Sequence, residues 1–302
     1  MKTSLKIKAI VLACSAMLGM QSASALPVSA DVIAIVDESG SMSGEHAWLG
    51  GMMASLDAGI VAQNVGTGSQ ANQYGLTGFG GGSSHFSPHK HSVGGSEFGT
   101  AAEFGTATSG LVLNGATEDG WAGIHYAANN YTFNSNSARN FILVTDEDRD
   151  NTNAALTYTN TLAVLTSTNT LLNAVVNCEF RNVTGAQALG IDSAGFAYTA
   201  DGSGGFTKSA GYTINSNNCS PGGFGSGTQS QYVDLALDSG GAAWDLNLLR
   251  AGGLTASSFT NAFVNIKVKE ITQQVPAPGT LALLGLGLIG LSWSKRKKAT
   301  TA

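Results

Sequence analysis

The stretch Val32-Ile33-Ala34-Ile35-Val36-Asp37-Glu38-Ser39-Gly40-Ser41 decides the fold. Its first five residues are all apolar, as is typical of a strand buried on both faces of a parallel sheet. The next residues place a carboxylate at Asp37 and hydroxyls at Ser39 and Ser41, alternating along a loop at the carboxyl end of that strand. Ligands of open α/β sheets bind at this edge, and hard divalent cations take such oxygen ligands. The same residues could equally cap a following helix.

Two later segments favour the metal interpretation. Phe141-Ile142-Leu143-Val144 is a second buried-strand pattern, and Thr145-Asp146 follows it. Between the two strands, residues 114–120 form a turn that leads into a helical pattern and carry Thr117. The chain therefore has a strand-end Asp-x-Ser-x-Ser, a Thr before a helix and a second strand-end Asp, in that order.

This order resembles the metal-ion-dependent adhesion site of von Willebrand factor type A (vWA) domains, over roughly residues 31–271. The resemblance implies a doubly wound, mostly parallel α/β sheet flanked by helices, similar to a Rossmann fold. It also implies one divalent cation, with Mg²⁺ expected and Ca²⁺ or Mn²⁺ as alternatives. The metal residues that it implies are Asp37, Ser39, Ser41, Thr117 and Asp146. The two Asp residues would act mostly through bound waters, and the three hydroxyls would approach the ion directly or through water.

The two ends of the chain predict export. Residues 1–25 have a basic start, an apolar core and the small-residue signature Ala23-Ser24-Ala25, as in a secretory signal peptide. The alternative is a lipoprotein signal with Cys14 as the lipidated residue, which would leave a short apolar core.

Residues 275–302 form a second targeting segment. They predict a C-terminal apolar helix with a proline-marked start, followed by Trp293 and a basic cluster at residues 295–298, consistent with the positive-inside rule. This arrangement resembles the PEP-CTERM sorting signal of Gram-negative bacteria, which an exosortase processes, although Pro276-Ala277-Pro278 replaces the usual Pro-Glu-Pro. The alternative is an ordinary C-terminal anchor. Both predict a periplasmic, cell-surface or extracellular protein that is held at the inner membrane at least before processing.

The charge of the segment between these ends excludes one class of partner. Seven of the 15 Lys and Arg residues lie in the ends, whereas all 20 Asp and Glu residues lie between them, which leaves a formal net charge of about −12. Such a surface repels nucleic acid. Cys178 and Cys219, which are the cysteines outside the signal peptide, can form a disulfide in an oxidising compartment; two free thiols are the alternative.

Three further features have less definite interpretations. Residues 179–239 are rich in Gly, Ser, Asn and Thr and predict an inserted β-rich region. His85, His89 and His91 could bind zinc, but without a carboxylate at a fixed spacing we expect solvent-exposed loop histidines. Asp148 and Asp150 could hold a second cation, although the segment fails the EF-hand pattern, and a solvated acidic loop is the alternative.

The sequence predicts a surface-associated binding or adhesion protein. Its bound ion would accept a carboxylate or similar oxygen from a protein or extracellular polysaccharide. The chain has no HExxH, GxSxG or Cys/His nucleophile pattern, so we expect no enzymatic activity. The alternatives are a structural surface or biofilm-matrix protein in which the metal is stabilising and, less favoured, a metal-dependent hydrolase.

Overall fold

A computed structural model describes residues 29–219 and 227–274 of the chain. The predicted signal peptide and C-terminal sorting segment lie outside these residues. The strands are β1 Ser29–Asp37, β2 Gln73–Phe79, β3 His89–His91, β4 Ser137–Thr145, β5 Thr170–Val176, β6 Cys178–Asn182, β7 Gln187–Ala188, β8 Gly190–Asp192, β9 Phe196–Ala200, β10 Phe206–Ala210, β11 Tyr212–Cys219 and β12 Ala242–Asp245. The α-helices are α1 Ser43–Val61, α2 Ala101–Ala107, α3 Gly120–Asn130, α4 Tyr158–Ser167, α5 Asp234–Asp238, α6 Leu246–Arg250 and α7 Gly253–Gln273.

Nine strands form one sheet in the order β10-β9-β8-β12-β5-β4-β1-β2-β3. The central strands β2, β1, β4, β5 and β12 run parallel, whereas β3 at one side and β8, β9 and β10 at the other are antiparallel. The predicted α/β fold with a large, mostly parallel sheet is confirmed. Strand β1 pairs with both β2 and β4, so the residues that follow β1 and β4 meet at one edge of the sheet.

Both faces of the sheet are covered by helices. Side chains alternate between the faces of a strand, and Val32, Ala34 and Val36 of β1 belong to one core cluster with residues of α1 and α7. Ile33 and Ile35 belong to a second cluster with residues of α3, α4 and α5. All five side chains are fully buried. Burial on both faces is the physical reason for the continuous apolar run in the sequence.

The glycine- and serine-rich region contributes to two sheets. Strands β8, β9 and β10 extend the main sheet beyond β12, while β11, β6 and β7 form a separate antiparallel sheet. A disulfide joins Cys178, the first residue of β6, to Cys219, the last residue of β11. The region is therefore β-rich, and its strands partly continue the main sheet.

Candidate metal centre

Three carboxylates converge at the carboxyl edge of the sheet. Asp37 is the last residue of β1, Asp146 follows β4, and Glu118 lies in the loop before α3. One oxygen of each lies within 4.8 Å of the others, and all three residues are buried. The parallel pairing of β1 with β4 explains why Asp37 and Asp146 meet although more than a hundred positions separate them.

The two predicted serines line the same cluster. The Ser39 and Ser41 Oγ atoms are 3.1 Å apart, and the Ser41 hydroxyl donates to Asp146 Oδ1 at 3.0 Å. The Ser39 amide donates to Asp37 Oδ1 at 2.7 Å, and the Thr145 hydroxyl donates to Asp37 Oδ2 at 2.9 Å. These contacts fix the Asp37 carboxylate and bring four of the five predicted metal residues together.

Thr117 lies in a loop that packs against this cluster, but its hydroxyl makes no hydrogen bond within residues 29–219 and 227–274. A Cβ at Gly80, which has a φ of +79°, would lie 3.0 Å from the Thr117 carbonyl oxygen and 3.3 Å from Asp37 Oδ1. Gly115 packs directly against Gly80, because a Cβ at Gly115 would overlap the Gly80 carbonyl oxygen. These glycines let the Thr117 loop reach Asp37. A direct role for the Thr117 hydroxyl stays a prediction.

Glu118 is a site residue that the sequence interpretation missed. Its backbone amide donates to Asp150 Oδ2 at 2.6 Å, and its carbonyl accepts from the Asp150 amide at 2.7 Å. Asp150 therefore fixes the segment that carries the Glu118 carboxylate. A signal was present in the sequence, since Glu118 directly follows the predicted Thr117 ligand.

The structure gives little support to a second cation at the acidic loop after β4. Among the described residues, neither Asp148 nor Asp150 belongs to a group of side chains positioned to hold a metal ion. The Asp150 carboxylate is already bonded to the Glu118 amide. A cation bound by Asp148 and Asp150 stays a prediction.

Burial makes the carboxylate cluster a strong site for positive charge. Burial raises the pKa of Asp37, and hydrogen bonds from Glu118, Ser39 and Thr145 offset only part of that rise. Burial also raises the pKa of Glu118, and the hydrogen bond to Asp37 and the negative charge of Asp37 raise it further. A proton shared between Asp37 and Glu118 relieves their repulsion, and a bound cation would relieve it in the same way.

A guanidinium group contacts the outer side of the cluster. Arg250, the last residue of α6, donates from Nη2 to Asp146 Oδ2 at 2.9 Å and to the Ser41 carbonyl at 3.2 Å. Its Nε donates to Glu45 Oε1 at 2.7 Å. Arg250 therefore neutralises part of the negative charge at the site and orients the Asp146 carboxylate.

The donor set fits a hard divalent cation. It consists of carboxylate oxygens of Asp37, Glu118 and Asp146 and hydroxyl oxygens of Ser39 and Ser41. Oxygen-only sets of this kind suit Mg²⁺, Mn²⁺ and Ca²⁺. The residues can therefore hold a divalent metal ion.

The interpretation of the three loop histidines as solvent-exposed was wrong. His91 is buried and His85 and His89 are half-buried, and all three converge on the carboxylate of Glu38. The missing carboxylate comes from the loop after β1, about fifty positions away in the sequence, so no fixed local spacing could reveal it.

Comparison with known proteins identifies the C-terminal segment. The PEP-CTERM protein-sorting motif matches residues 274–297. The predicted sorting signal is confirmed, and the motif implies export and sorting by an exosortase. Within the described residues, no helix combines the length and the apolar character that a membrane crossing requires. Comparison with curated protein sequences found no match.

Solved structures that resemble the fold include vWA domains. Proximal thread matrix protein 1 from the mussel byssus matches with 16% identity and a TM-score of 0.34 over 49% of this chain, which spans 35% of the mussel chain. The structure of the same mussel protein has also been solved with zinc in its metal-ion-dependent adhesion site (MIDAS) motif. The vWF domain of the pilus tip protein Mfa5 from Porphyromonas gingivalis matches with 22% identity and a TM-score of 0.30, covering 41% of this chain and 40% of that one. The SpRpn10 VWA domain matches with 14% identity and a TM-score of 0.34, covering 49% and 75%.

Proposed function

We propose that this exported chain is a vWA-type binding protein whose metal ion recognises an oxygen ligand of a partner. The observation that carries the proposal is the convergence of Asp37, Glu118 and Asp146 to within 4.8 Å at the carboxyl edge of the sheet. The partner would be a protein or an extracellular polysaccharide that presents a carboxylate or a similar group.

The chain's own residues have distinct roles in this proposal. Ser39 and Ser41 would offer hydroxyl oxygens to the ion, while Asp37, Glu118 and Asp146 would supply negative charge directly or through water. A bound Mg²⁺, the ion that we expect here, would supply an electrophilic centre that completes its shell with a partner oxygen. Thr145 and the Ser39 amide hold Asp37 in place through hydrogen bonds of 2.9 and 2.7 Å.

The organisation of the chain agrees with a surface role. We propose that residues 1–25 direct export, that residues 31–271 form the binding domain, and that residues 275–302 hold the chain at the inner membrane until an exosortase acts. The sorting motif at residues 274–297 supports the last part. The net charge of about −12 between the two ends supports a cation-mediated contact, because it opposes direct binding to acidic surfaces.

The experiment measures binding of the purified full chain to a biosensor surface that displays carboxylate groups, with a carboxamide surface as reference. We expect binding to the carboxylate surface in Mg²⁺, and we expect loss of that binding in EDTA and in Asp37→Asn. Asp201→Asn is the matched control, because Asp201 lies on an exposed loop and bonds only to nearby residues of its own turn. Equal binding with and without the metal would overturn the proposal. A Mg²⁺-dependent rise in melting temperature without any binding would favour the structural alternative.

A further inference from the structure

A second cluster of metal-binding side chains lies beside the carboxylate centre. Glu38, the residue after Asp37, is surrounded by His85, His89 and His91, and one ligand atom of each lies within 4.8 Å of the others. His85 Nδ1 is 3.0 Å from Glu38 Oε1, His91 Nε2 is 3.2 Å from the same oxygen, and His89 Nε2 is 3.2 Å from Oε2.

Hydrogen bonding within the protein accounts for the contact of His85 Nδ1 with Glu38 but not for the contacts of His89 and His91. The Nε2 atoms of His89 and His91 are shielded from solvent and lie 3.2 Å from Glu38 oxygens, yet neither contact has the geometry of a hydrogen bond. The His91 side chain is only 9% exposed. Two buried nitrogens without a hydrogen bond are costly unless another partner satisfies them.

Neighbouring backbone groups hold His89 and Glu38 in the way that metal ligands are usually held. His89 Nδ1 lies 2.9 Å from the Ser87 carbonyl oxygen, which can only accept, so Nδ1 carries the hydrogen and the Nε2 lone pair faces the cluster. The Val112 amide donates to Glu38 Oε1 at 2.9 Å and holds the carboxylate. Ligating histidines and carboxylates commonly have outer partners of this kind.

The spacing of the ligand atoms fits a small ion with four ligands. In a tetrahedral site with metal–ligand bonds of about 2.0–2.1 Å, neighbouring ligand atoms lie about 3.3 Å apart. The separations of His85 and His91 from Glu38 Oε1, 3.0 and 3.2 Å, are close to this value, as is the 3.2 Å from His89 to Oε2, and one ligand atom of each residue lies within 4.8 Å of the others. Gly78 leaves room for the Glu38 and His91 side chains, since a Cβ at Gly78 would lie 2.7 Å from His91 Nε2 and would also clash with Glu38 Oε2.

We propose that Glu38, His85, His89 and His91 bind a second divalent ion of the type that prefers imidazole, with Zn²⁺ the best fit. Three nitrogens and one carboxylate oxygen suit Zn²⁺, whereas the neighbouring all-oxygen cluster suits Mg²⁺. The ion would tie the segment from His85 to His91 to Glu38, and it would thereby support the position of the neighbouring Asp37 and of the loop that carries Ser39 and Ser41. His85 and His89, with side chains 27% and 24% exposed, leave a route for the ion.

Titration of the purified full chain with Co²⁺ tests the proposal. Four-coordinate Co²⁺ absorbs visible light much more strongly than six-coordinate Co²⁺ in an oxygen site, so the spectrum separates the two centres. We expect an intense band that saturates at one equivalent and that Zn²⁺ abolishes. His89→Gln and His91→Gln should each weaken binding at least about tenfold. His125→Gln is the matched control, because that histidine lies on α3 and bonds to Thr161.

The outcomes separate this site from the proposed function. Asp146→Asn should keep the intense Co²⁺ band while it loses Mg²⁺-dependent binding to carboxylate. If His91→Gln does not fold, the more exposed His89→Gln still decides the matter. Absence of the band in the wild type, or an affinity in His89→Gln equal to that of His125→Gln, would overturn the proposal and leave the cluster as a set of ion pairs around Glu38.

Discussion

Arg250 Nη2 donates to Asp146 Oδ2 at 2.9 Å, so a guanidinium group holds one of the three carboxylates of the metal centre. The contact joins α6 to the loop after β4 across 104 positions of the chain. The guanidinium is about one-third exposed and also pairs with the buried Glu45. A fixed positive charge at this distance lowers the attraction of the site for a cation.

Replacing Arg250 should therefore strengthen metal binding. We expect Arg250→Gln to raise the affinity for Mg²⁺ by about tenfold, a value reduced for solvent screening at this partly exposed group. Isothermal titration calorimetry in Mg²⁺ measures the change. Arg181→Gln is the control, because Arg181 pairs with Glu179 on β6 and has an exposed side chain. Unchanged or weaker binding in Arg250→Gln would show that Arg250 acts mainly by positioning Asp146.

Glu118 should be as important as the predicted Asp ligands. Glu118→Gln keeps the shape of the side chain but removes its negative charge, so we expect Mg²⁺ affinity to fall at least about tenfold. The metal-free variant should be no less stable than the wild type near neutral pH, because the Gln amide, like the protonated Glu118 carboxyl, is neutral and can donate a hydrogen bond to Asp37. Glu147→Gln is the matched control, since Glu147 is a nearby half-buried carboxylate outside the cluster. Equal affinities in the two variants would remove Glu118 from the site.

The stabilising effect of Mg²⁺ should grow with pH. The pKa values of Asp37 and Glu118 are raised in the folded protein by burial. The protonated carboxyl groups of Asp37 and Glu118 therefore contribute fully to folding stability below about pH 4, the ordinary carboxyl range. This contribution is lost as the pH rises through their raised pKa values. A cation replaces the shared proton, so the melting temperature difference between Mg²⁺ and EDTA should be larger at about pH 8 than at about pH 5. A melting temperature difference that stays constant with pH would contradict this expectation. In Glu118→Gln, the difference should depend less on pH than it does in the wild type.

The disulfide should stabilise the sheet formed by β11, β6 and β7. Cys178 and Cys219 are 41 positions apart in sequence, and closing a loop of that length constrains the unfolded chain. We expect the Cys178→Ser, Cys219→Ser double variant to lose about 3–4 kcal/mol of unfolding free energy, measured by urea denaturation. Reduction of the wild type should give a similar loss. A change below about 1 kcal/mol would mean that the surrounding sheet is stable without the bond.

The sequence predicts the centre of the fold well because that part depends on local pattern. The run from Val32 to Val36 is buried on both faces, and the residues after β1 and β4 meet because these strands are parallel neighbours. The sequence pattern alone therefore predicts that Asp37 and Asp146 lie together.

The residues that the sequence did not reveal depend on distant contacts. Arg250 reaches Asp146 from a short helix near the end of the domain. Glu38 meets His91 because β2 pairs with β1, which Glu38 follows, and also with β3, which carries His91. Such features need the tertiary structure, because no single segment contains the interacting groups.

A crystal of the protein soaked in Mn²⁺ gives the most direct test of the central claim, through an anomalous difference map. The proposed function predicts a peak among the side-chain oxygens of Ser39, Ser41, Asp37, Glu118 and Asp146, at about 2.1–2.6 Å from its direct ligands. A map without a peak among these oxygens, at a Mn²⁺ concentration that supports binding to carboxylate surfaces, would contradict the account.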